Sequence, residues 1–472
     1  MKNRLIVFGL LLSVLGMFTA CLKDENTVVT LYDDTGITSF SLGTMSRTLH
    51  TTSSKGEDST YTATVTGSTY KFTIDQKQGL IYNVDSLPLG TDVSRVLTTV
   101  GAKNSGVVAV NLRTKDGLLD SIVSHSSTDS LDLSKPLELR VYSNSGIAYR
   151  RYMVTVNVHQ EDGNAFTWKQ MTEGGSPFGL LWNQRMLSAG DRVLLFGTDA
   201  SRSYTEMYDV KANMPIADAQ IEVAQRFGAD AVDNLAKRGD EVLVLDGNRL
   251  WHISATGNGG WNSRSDDGRN TEGVARLAGA STKEIYALSS EGGLLVSTDD
   301  CLTWQSESLD NSADLLPTHN LNCAVFPLQT NEGMSRVMLV GTRPDKEYAV
   351  VWMKIVDENN PGAGQWMLVA DGNGKTNSYC LPRLSSLTVL SYDGSAMSMG
   401  FKEDGLASIR QSLDGGITWK GSSVYKWPEG ADGQQTLAAT VDDSNAIWVV
   451  LGGSGQVWRG RLNRLGWNKV TR

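Results

Sequence analysis

Tryptophan punctuates the second half of this chain. Trp261, Trp304, Trp366, Trp419 and Trp467 follow one another at intervals of 43, 62, 53 and 48 residues. Among them lie runs of β-forming apolar residues at 192–196, 241–245, 284–288, 336–340, 387–390 and 446–450. Most runs lead into a tight turn such as Gly292-Gly293, Asp393-Gly394 or Gly452-Gly453. A second strand then carries Trp251, Val296, Trp352, Ile409 or Trp458. A period of about 40–50 residues holding several strands marks a β-propeller, whose blades bury their faces only against copies of themselves. The runs are continuous rather than alternating, as suits strands covered on both faces, and they read as the inner strands of the blades. Six runs give six blades, with seven as the alternative. A further piece, Phe166-Thr167-Trp168-Lys169, either completes the last blade or begins the first.

Two stretches inside the repeat share the pattern Ser-x-Asp-x-x-x-Thr-Trp. They are Ser297-Thr298-Asp299-Asp300-Cys301-Leu302-Thr303-Trp304 and Ser412-Leu413-Asp414-Gly415-Gly416-Ile417-Thr418-Trp419. An Asp here can accept backbone N–H groups of its own turn while glycine supplies positive φ. Both stretches resemble the Asp-box of sialidase-like (BNR) propellers. That resemblance implies a structural hairpin away from any active site, built by Ser297, Asp299, Thr303 and Trp304 in one copy. Ser412, Asp414, Gly416, Thr418 and Trp419 build the other. Residues 256–261 and 463–467 look like copies that have lost the Asp. Cys301 stands where the second copy has glycine, and positive φ there costs about 1–2 kcal/mol. That turn is therefore expected to relax to another type, and Cys301→Gly to raise stability.

The first half is organised differently. From residue 37 to 158 the apolar runs are short and alternate with period two, as at 37–42, 70–74, 80–84, 107–112, 137–142 and 152–158. Turn clusters separate them at the spacing of a β-sandwich. Leu87-Pro88-Leu89-Gly90-Thr91-Asp92 and the closing run at 149–156 resemble an Ig-like module of Bacteroidota surface lipoproteins. Ahead of it, Lys2 and Arg4 precede an apolar stretch at 5–18 that is too short to span a bilayer comfortably. Phe18-Thr19-Ala20-Cys21 resembles a bacterial lipobox, with Cys21 as the lipid attachment site. Leu22-Lys23-Asp24-Glu25-Asn26 resembles a surface-export tag. The domains expected are a signal peptide at 1–20, a lipidated tether at 21–36 and an Ig-like β-sandwich at 37–159. A linker at 160–165 and the propeller at 166–472 complete an all-β chain. As a whole it resembles an uncharacterised two-domain Bacteroidota lipoprotein family, which implies outer-membrane anchoring by lipid and no particular activity.

Chemistry finds few handles. The net charge of −9 disfavours nucleic acid and anionic membrane surfaces as partners. Cys301, Cys323 and Cys380 show no metal-ligand spacing, and the five histidines are scattered. Asp266-Asp267-Gly268 and Asp371-Gly372-Asn373-Gly374 lack the alternating ligands of a calcium loop and read as turns. No metal or cofactor is expected. A sialidase needs an arginine cluster for a carboxylate and an acid/base pair. The usual Arg-Ile-Pro string is absent, although Arg185, Arg343 and Arg383 offer three arginines that might have converged. The favoured reading is a non-catalytic surface protein that binds a glycan or protein partner. A glycoside hydrolase or lyase with a non-sialidase carboxylate site is the alternative. Trp and Tyr at a propeller rim suit sugar recognition. Trp182, Trp251, Trp352, Tyr379, Tyr392 and Trp427 are the candidates, with blade packing as the competing role for each.

Overall fold

The structure, a computed structural model, describes residues 30–52, 58–113, 119–171, 180–181, 183–199, 203–211, 214–215, 227–254, 262–263, 269–328, 330–374 and 379–467. Cys21, Trp182, Trp261 and the Asp266-Asp267-Gly268 turn lie outside them. Among the described residues, regular structure is strand with a few short 3₁₀ turns. The chain divides into two compact units, Met1–Gln160 with Lys469–Arg472, and Glu161–Asn468.

In the first unit a three-stranded sheet faces a six-stranded one, with a long hairpin formed by Thr44–Thr52 and Asp58–Thr66. Ile37, Phe40 and Leu42 from the small sheet meet Ile81, Val110, Leu139, Val141 and Val154 from the large one. The alternation of apolar and polar residues places one face of each sheet in this core. Tyr152 is fully buried, and its hydroxyl donates to Gln76 Oε1 at 2.5 Å and accepts from the Ile37 amide at 3.3 Å. Tyr149–Thr155 begins three residues before the alternation suggested, and its partner Leu80–Asn83 runs parallel to it.

The second unit is a β-propeller. Six antiparallel sheets of four or five strands occur among its described residues. The first is Asn183–Ala189, Arg192–Thr198, Ser203–Asp209 and Met214–Pro215. Leu235–Arg238, Val274–Ala280, His319–Pro327 and Ser385–Tyr392 open the next four, and Leu437–Val441 opens the sixth. Phe166–Gln170 pairs antiparallel with Val457–Leu462 as the outermost strand of that last sheet. The two ends of the propeller thus share one sheet. Gly460 makes room for this, because a Cβ there would stand 2.4 Å from the Trp168 ring.

A hydrophobic cluster fills each junction between successive sheets. At the junction of the sixth and first, Met186, Val193, Leu195 and Tyr208 pack on Ala438, Trp448 and Val450. Between the second and third, Leu243 and Leu245 meet Ile285, Ala287 and Cys301. Burial on both faces explains the continuous apolar runs, which are almost wholly enclosed at Arg192–Thr198, Ser395–Lys402 and Ile447–Leu451.

Here the sequence reading needs correcting. The runs near 192, 241, 284, 336 and 446 are second strands of their sheets, and only the run near 387 is innermost. The true inner strands are edge strands around the axis. They carry short or polar side chains, as in LAATV, LAKR and VARLAGA, because neighbouring strands crowd together there. Gly279 shows the limit, since its Cβ would lie 2.0 Å from Cys323 Cβ. Trp467 likewise falls after a 3₁₀ turn at Asn463–Gly466. Trp168 occupies the outer strand of that sheet, as Trp304, Trp366 and Trp419 border the outer strands of theirs.

Candidate functional site

The inner strands of all six sheets enclose a central cavity of about 640 Å³. That size accommodates a small organic ligand or the end of a longer one. Each wall is the edge of a sheet, and side chains of neighbouring sheets take part of its backbone, as where the Ser188, Leu277 and Val389 amides donate to Thr440, Asn234 and Asn322. Between them stand small side chains, including Ala236, Ala278, Ala324, Ser281, Ser391 and Ala439.

Charge enters the cavity from the first two sheets. Where the inner strands begin, Asp233 holds a cluster. Its Oδ1 accepts from Arg185 Nη2 and from Arg276 Nη2, each at 3.4 Å, and its Oδ2 accepts from Asn183 Nδ2 at 2.9 Å. Arg276 is spent structurally, donating also to the Asp233 and Thr318 carbonyls, both at 3.1 Å. Burial pulls its pKa below the ordinary value, with Asp233 acting against that pull. Further along, Lys237 Nζ donates to Ser188 Oγ at 2.9 Å. Ser188 is itself fixed through its amide to Thr440 Oγ1 at 3.1 Å. No carboxylate among the described residues forms an ion pair with Lys237. Burial pushes its ammonium below the ordinary lysine pKa, and Asp443 and Asp240 pull the other way.

A second charged cluster is sealed between the third and fourth sheets. Lys354 Nζ lies 3.0 Å from Glu284 Oε2 and 2.7 Å from Glu307 Oε1. Tyr286 Oη and the Gly362 amide both donate to Glu284 at 2.7 Å. Burial raises the Glu307 carboxyl while Lys354 lowers it. Lys354 and Glu284 expose nothing to solvent, so this carboxylate pair is not accessible to a sugar ring.

The sequence candidates fall into separate places. Trp352 is wholly buried, with Nε1 donating to the Leu315 carbonyl at 3.1 Å. Trp251 packs edge-on against Phe227, with ring centroids 5.8 Å apart. Tyr392 is buried and spans the last two sheets, donating to the Asn445 carbonyl at 3.1 Å and accepting from the Leu462 amide at 2.9 Å. These three are packing residues, which corrects their reading as rim contacts. Trp427 is half-buried with Nε1 on the Ala407 carbonyl at 2.8 Å. Tyr379 is 51 % exposed, with Lys420 Nζ 5.5 Å from its ring centroid. Nor do the three arginines converge. Arg343 binds Asp345 and the Leu316 carbonyl, and Arg383 binds the Pro344 carbonyl, while Arg185 lines the cavity. Asp371 spends its carboxylate on Asn373, at 3.0 Å to the amide and 2.6 Å to the side chain. Among the described residues no cluster of three His, Cys, Asp or Glu side chains suits a metal ion. Cys301, Cys323 and Cys380 are free thiols, and burial pushes Cys323 up to about 12.

The two Ser-x-Asp stretches have the same bonding. Ser297 Oγ donates to Asp299 Oδ1 at 2.9 Å and accepts the Cys301 amide at 2.8 Å. Asp299 also accepts the Thr303 amide at 2.9 Å and hydroxyl at 2.6 Å. Ser412, Asp414, Gly416 and Thr418 repeat this ring at 2.8, 2.8, 2.9 and 2.6 Å. None of these residues lines the central cavity.

Sheets closed around an axis and an edge-lined cavity define the second unit as a β-propeller protein domain. The chain belongs to the DUF6242 family. Residues 162–470 match the model described as "DUF6242 beta propeller domain", and residues 40–156 match "Domain of unknown function (DUF6242) N-terminal domain". No curated protein matches the chain. Among solved structures it is similar to YCF48 from Cyanidioschyzon merolae, at 13% identity over 62% of this chain and 98% of that one, TM-score 0.30. It is similar to the Aleuria aurantia lectin solved with Fucα1-6GlcNAc, at 11% identity over 60% and 93%, TM-score 0.37. The Trypanosoma rangeli sialidase solved with 2,3-difluorosialic acid matches at 10% identity over 64% and 59%, TM-score 0.33. Likeness at this level carries no argument about ligands.

Proposed function

We propose that this chain is a lipid-anchored outer-membrane protein, facing the cell surface, that binds a glycan or protein ligand through its propeller without catalysis. The observation that carries the binding reading is the central cavity of about 640 Å³, lined by sheet edges and by small and apolar side chains with a few polar groups among them. Among the described residues Asp233 is the one carboxylate in that lining, and two arginines and an asparagine already occupy it. Glycoside hydrolysis needs two carboxyl groups flanking the scissile bond, and this lining supports only one.

The finer architecture belongs to the same reading. Six sheets with a filled junction between each successive pair support a six-bladed ring over seven. The two facing sheets at the N-terminus support an Ig-like stalk. The lipid anchor at Cys21 rests on the sequence pattern of residues 1–21. Among the described residues no helix is long and apolar enough to cross a membrane.

A glycan array run beside a hydrolysis screen on the same polysaccharides tests the proposal. Binding without released sugar supports it, and released sugar establishes the hydrolase or lyase alternative instead. Labelling cells with a radioactive fatty acid tests the anchor: Cys21→Ala is expected to abolish incorporation, and retained label refutes that site.

A further inference from the structure

Lys237 is the feature of the cavity that packing leaves unexplained. Lys237 is half-buried, and an ammonium that loses part of its hydration needs hydrogen-bonding or charged partners in exchange. This one keeps a single neutral partner, Ser188 Oγ at 2.9 Å. Nothing in its place on the inner edge of a sheet demands a lysine, since the equivalent inner strands carry Ala, Ser or Thr close by. Arg185 gives only Nη2 to Asp233, at a long 3.4 Å, leaving other guanidinium donors for a ligand. Arg185 lies three residues before Ser188 on the same strand, about 10 Å along the wall.

Among the described residues, Lys237 is the cation of the lining that has no ion-paired carboxylate. Asp233 is shared by Arg185 and Arg276, Arg238 is engaged by Glu241 at 3.3 Å and Asp300 at 2.6 Å, and Asp443 and Asp240 act on Lys237 without pairing with it. Charges on the outer surface are screened over roughly 10 Å of salt solution. A narrow cavity with low-dielectric walls focuses the field of the groups that line it.

We propose that the central cavity binds a small ligand bearing an oxyanion, carboxylate or sulfate, held by the Lys237 ammonium, with the donors of Arg185 that Asp233 leaves unused taking a second oxygen further along the ligand. This rests on the reading of the propeller as a binding domain and adds the chemical class of its ligand. The compact ammonium supplies a point charge, and the guanidinium fork supplies directional donors. A bound anion also raises the proton affinity of Lys237, adding to the pull of Asp443 and Asp240, so binding takes up protons near the lysine's own pKa.

The test is isothermal titration of the full chain with digalacturonic acid, with its dimethyl ester and with a sulfated disaccharide. The ester keeps the shape and removes the charge. The expected result is binding of at least one charged sugar, with the ester at least about tenfold weaker than the acid wherever the acid binds. Lys237→Met is expected to weaken the charged ligand about ten- to a hundredfold and leave any ester binding unchanged, while Lys237→Arg keeps most of the affinity. Heats that change with buffer ionisation enthalpy on the native protein, and not on Lys237→Met, report the proton uptake. An unchanged melting curve for Lys237→Met keeps misfolding out of the comparison, and Arg185→Gln serves as the second variant. Preference for the acid assigns a carboxylate ligand, and preference for the sulfated sugar assigns a sulfate. Equal affinity for acid and ester, no effect of either variant, or no binding of either charged sugar overturns the proposal. In the last case neutral glycans retained on the array leave the broader binding reading standing, and a blank array removes its glycan half as well, leaving a protein ligand.

Discussion

The turns Ser297–Trp304 and Ser412–Trp419 make the same ring of hydrogen bonds from different residues at the tip. In the second, Gly415 and Gly416 take φ of 81° and 94° without strain. In the first, Asp300 and Cys301 hold φ of 63° and 64°. The turn did not relax to another type. Two contributions offset its strain. Asp300 forms ion pairs with Arg238 at 2.6 Å and with Arg269. The Cys301 side chain is fully buried in the junction with Leu243 and Ala287. A shared backbone shape can thus be held from within by glycine or from outside by neighbours, and the sequence pattern alone does not say which.

Exchanging the tips sharpens this contrast. Gly416→Cys is expected to cost the most, about 3 kcal/mol, because a Cβ there would stand 2.7 Å from Val351 Cγ1 as well as adding the strain of positive φ. Urea unfolding followed through the propeller transition measures it. A cost under about 1 kcal/mol would mean that the two turns tolerate side chains alike. Asp300→Ala is expected to cost about 1.5 kcal/mol through its lost arginine partners, with no change on combining it with Arg269→Ala beyond the partial sum. Strict additivity in that cycle contradicts the coupling.

A smaller effect should appear with acid. Burial works to raise the carboxyls of Asp299 and Asp414, but the Thr303 and Thr418 hydroxyls and amides and the serine hydroxyls hold both below the ordinary 3.8. A depressed folded value makes their contribution complete above the unfolded value near pH 4 and lost as pH falls through the folded values. Asp299→Asn and Asp414→Asn should each blunt the loss of stability as pH falls below the ordinary carboxylate value. If only one does, the rings are not equivalent. Cys301→Gly is expected to change least, rather than to raise stability as the sequence suggests, because the Cys301 side chain is buried in the junction. Relief of about 1–2 kcal/mol of strain is offset by roughly 1 kcal/mol of lost thiol burial, so the net falls within about 1 kcal/mol of zero. A loss above about 2 kcal/mol would show that packing, rather than backbone shape, holds this tip.

The repeat was legible because burial on both faces demands continuous apolar second strands, and these are what the eye finds at 241–245 or 446–450. The inner strands were not legible for the opposite reason. An edge beside a narrow axis favours small and polar residues, so Leu235-Ala236-Lys237-Arg238 reads as a corner before the apolar run. Lys237 and Asp233 escape the pattern with it, and the charged residues of 233–241 ahead of that one apolar run are the signal that the sequence offers. The aromatic candidates misled because a large flat side chain serves a blade junction as readily as a sugar. Trp352 and Tyr392 differ from a rim residue only in what covers them. Spacing marks Trp467 as the end of a blade, whereas strand pairing gives that place to Trp168.

The central claim is that the matched turns hold the blades while the axis does the binding. One glycan array probed side by side with Asp414→Asn and Lys237→Met tests it most directly, with each protein's melting temperature recorded. The expected result is a lower melting temperature and an unchanged array for Asp414→Asn, and an unchanged melting temperature with loss of acidic-glycan signals for Lys237→Met. Loss of those signals in folded Asp414→Asn, together with their retention in Lys237→Met, contradicts it.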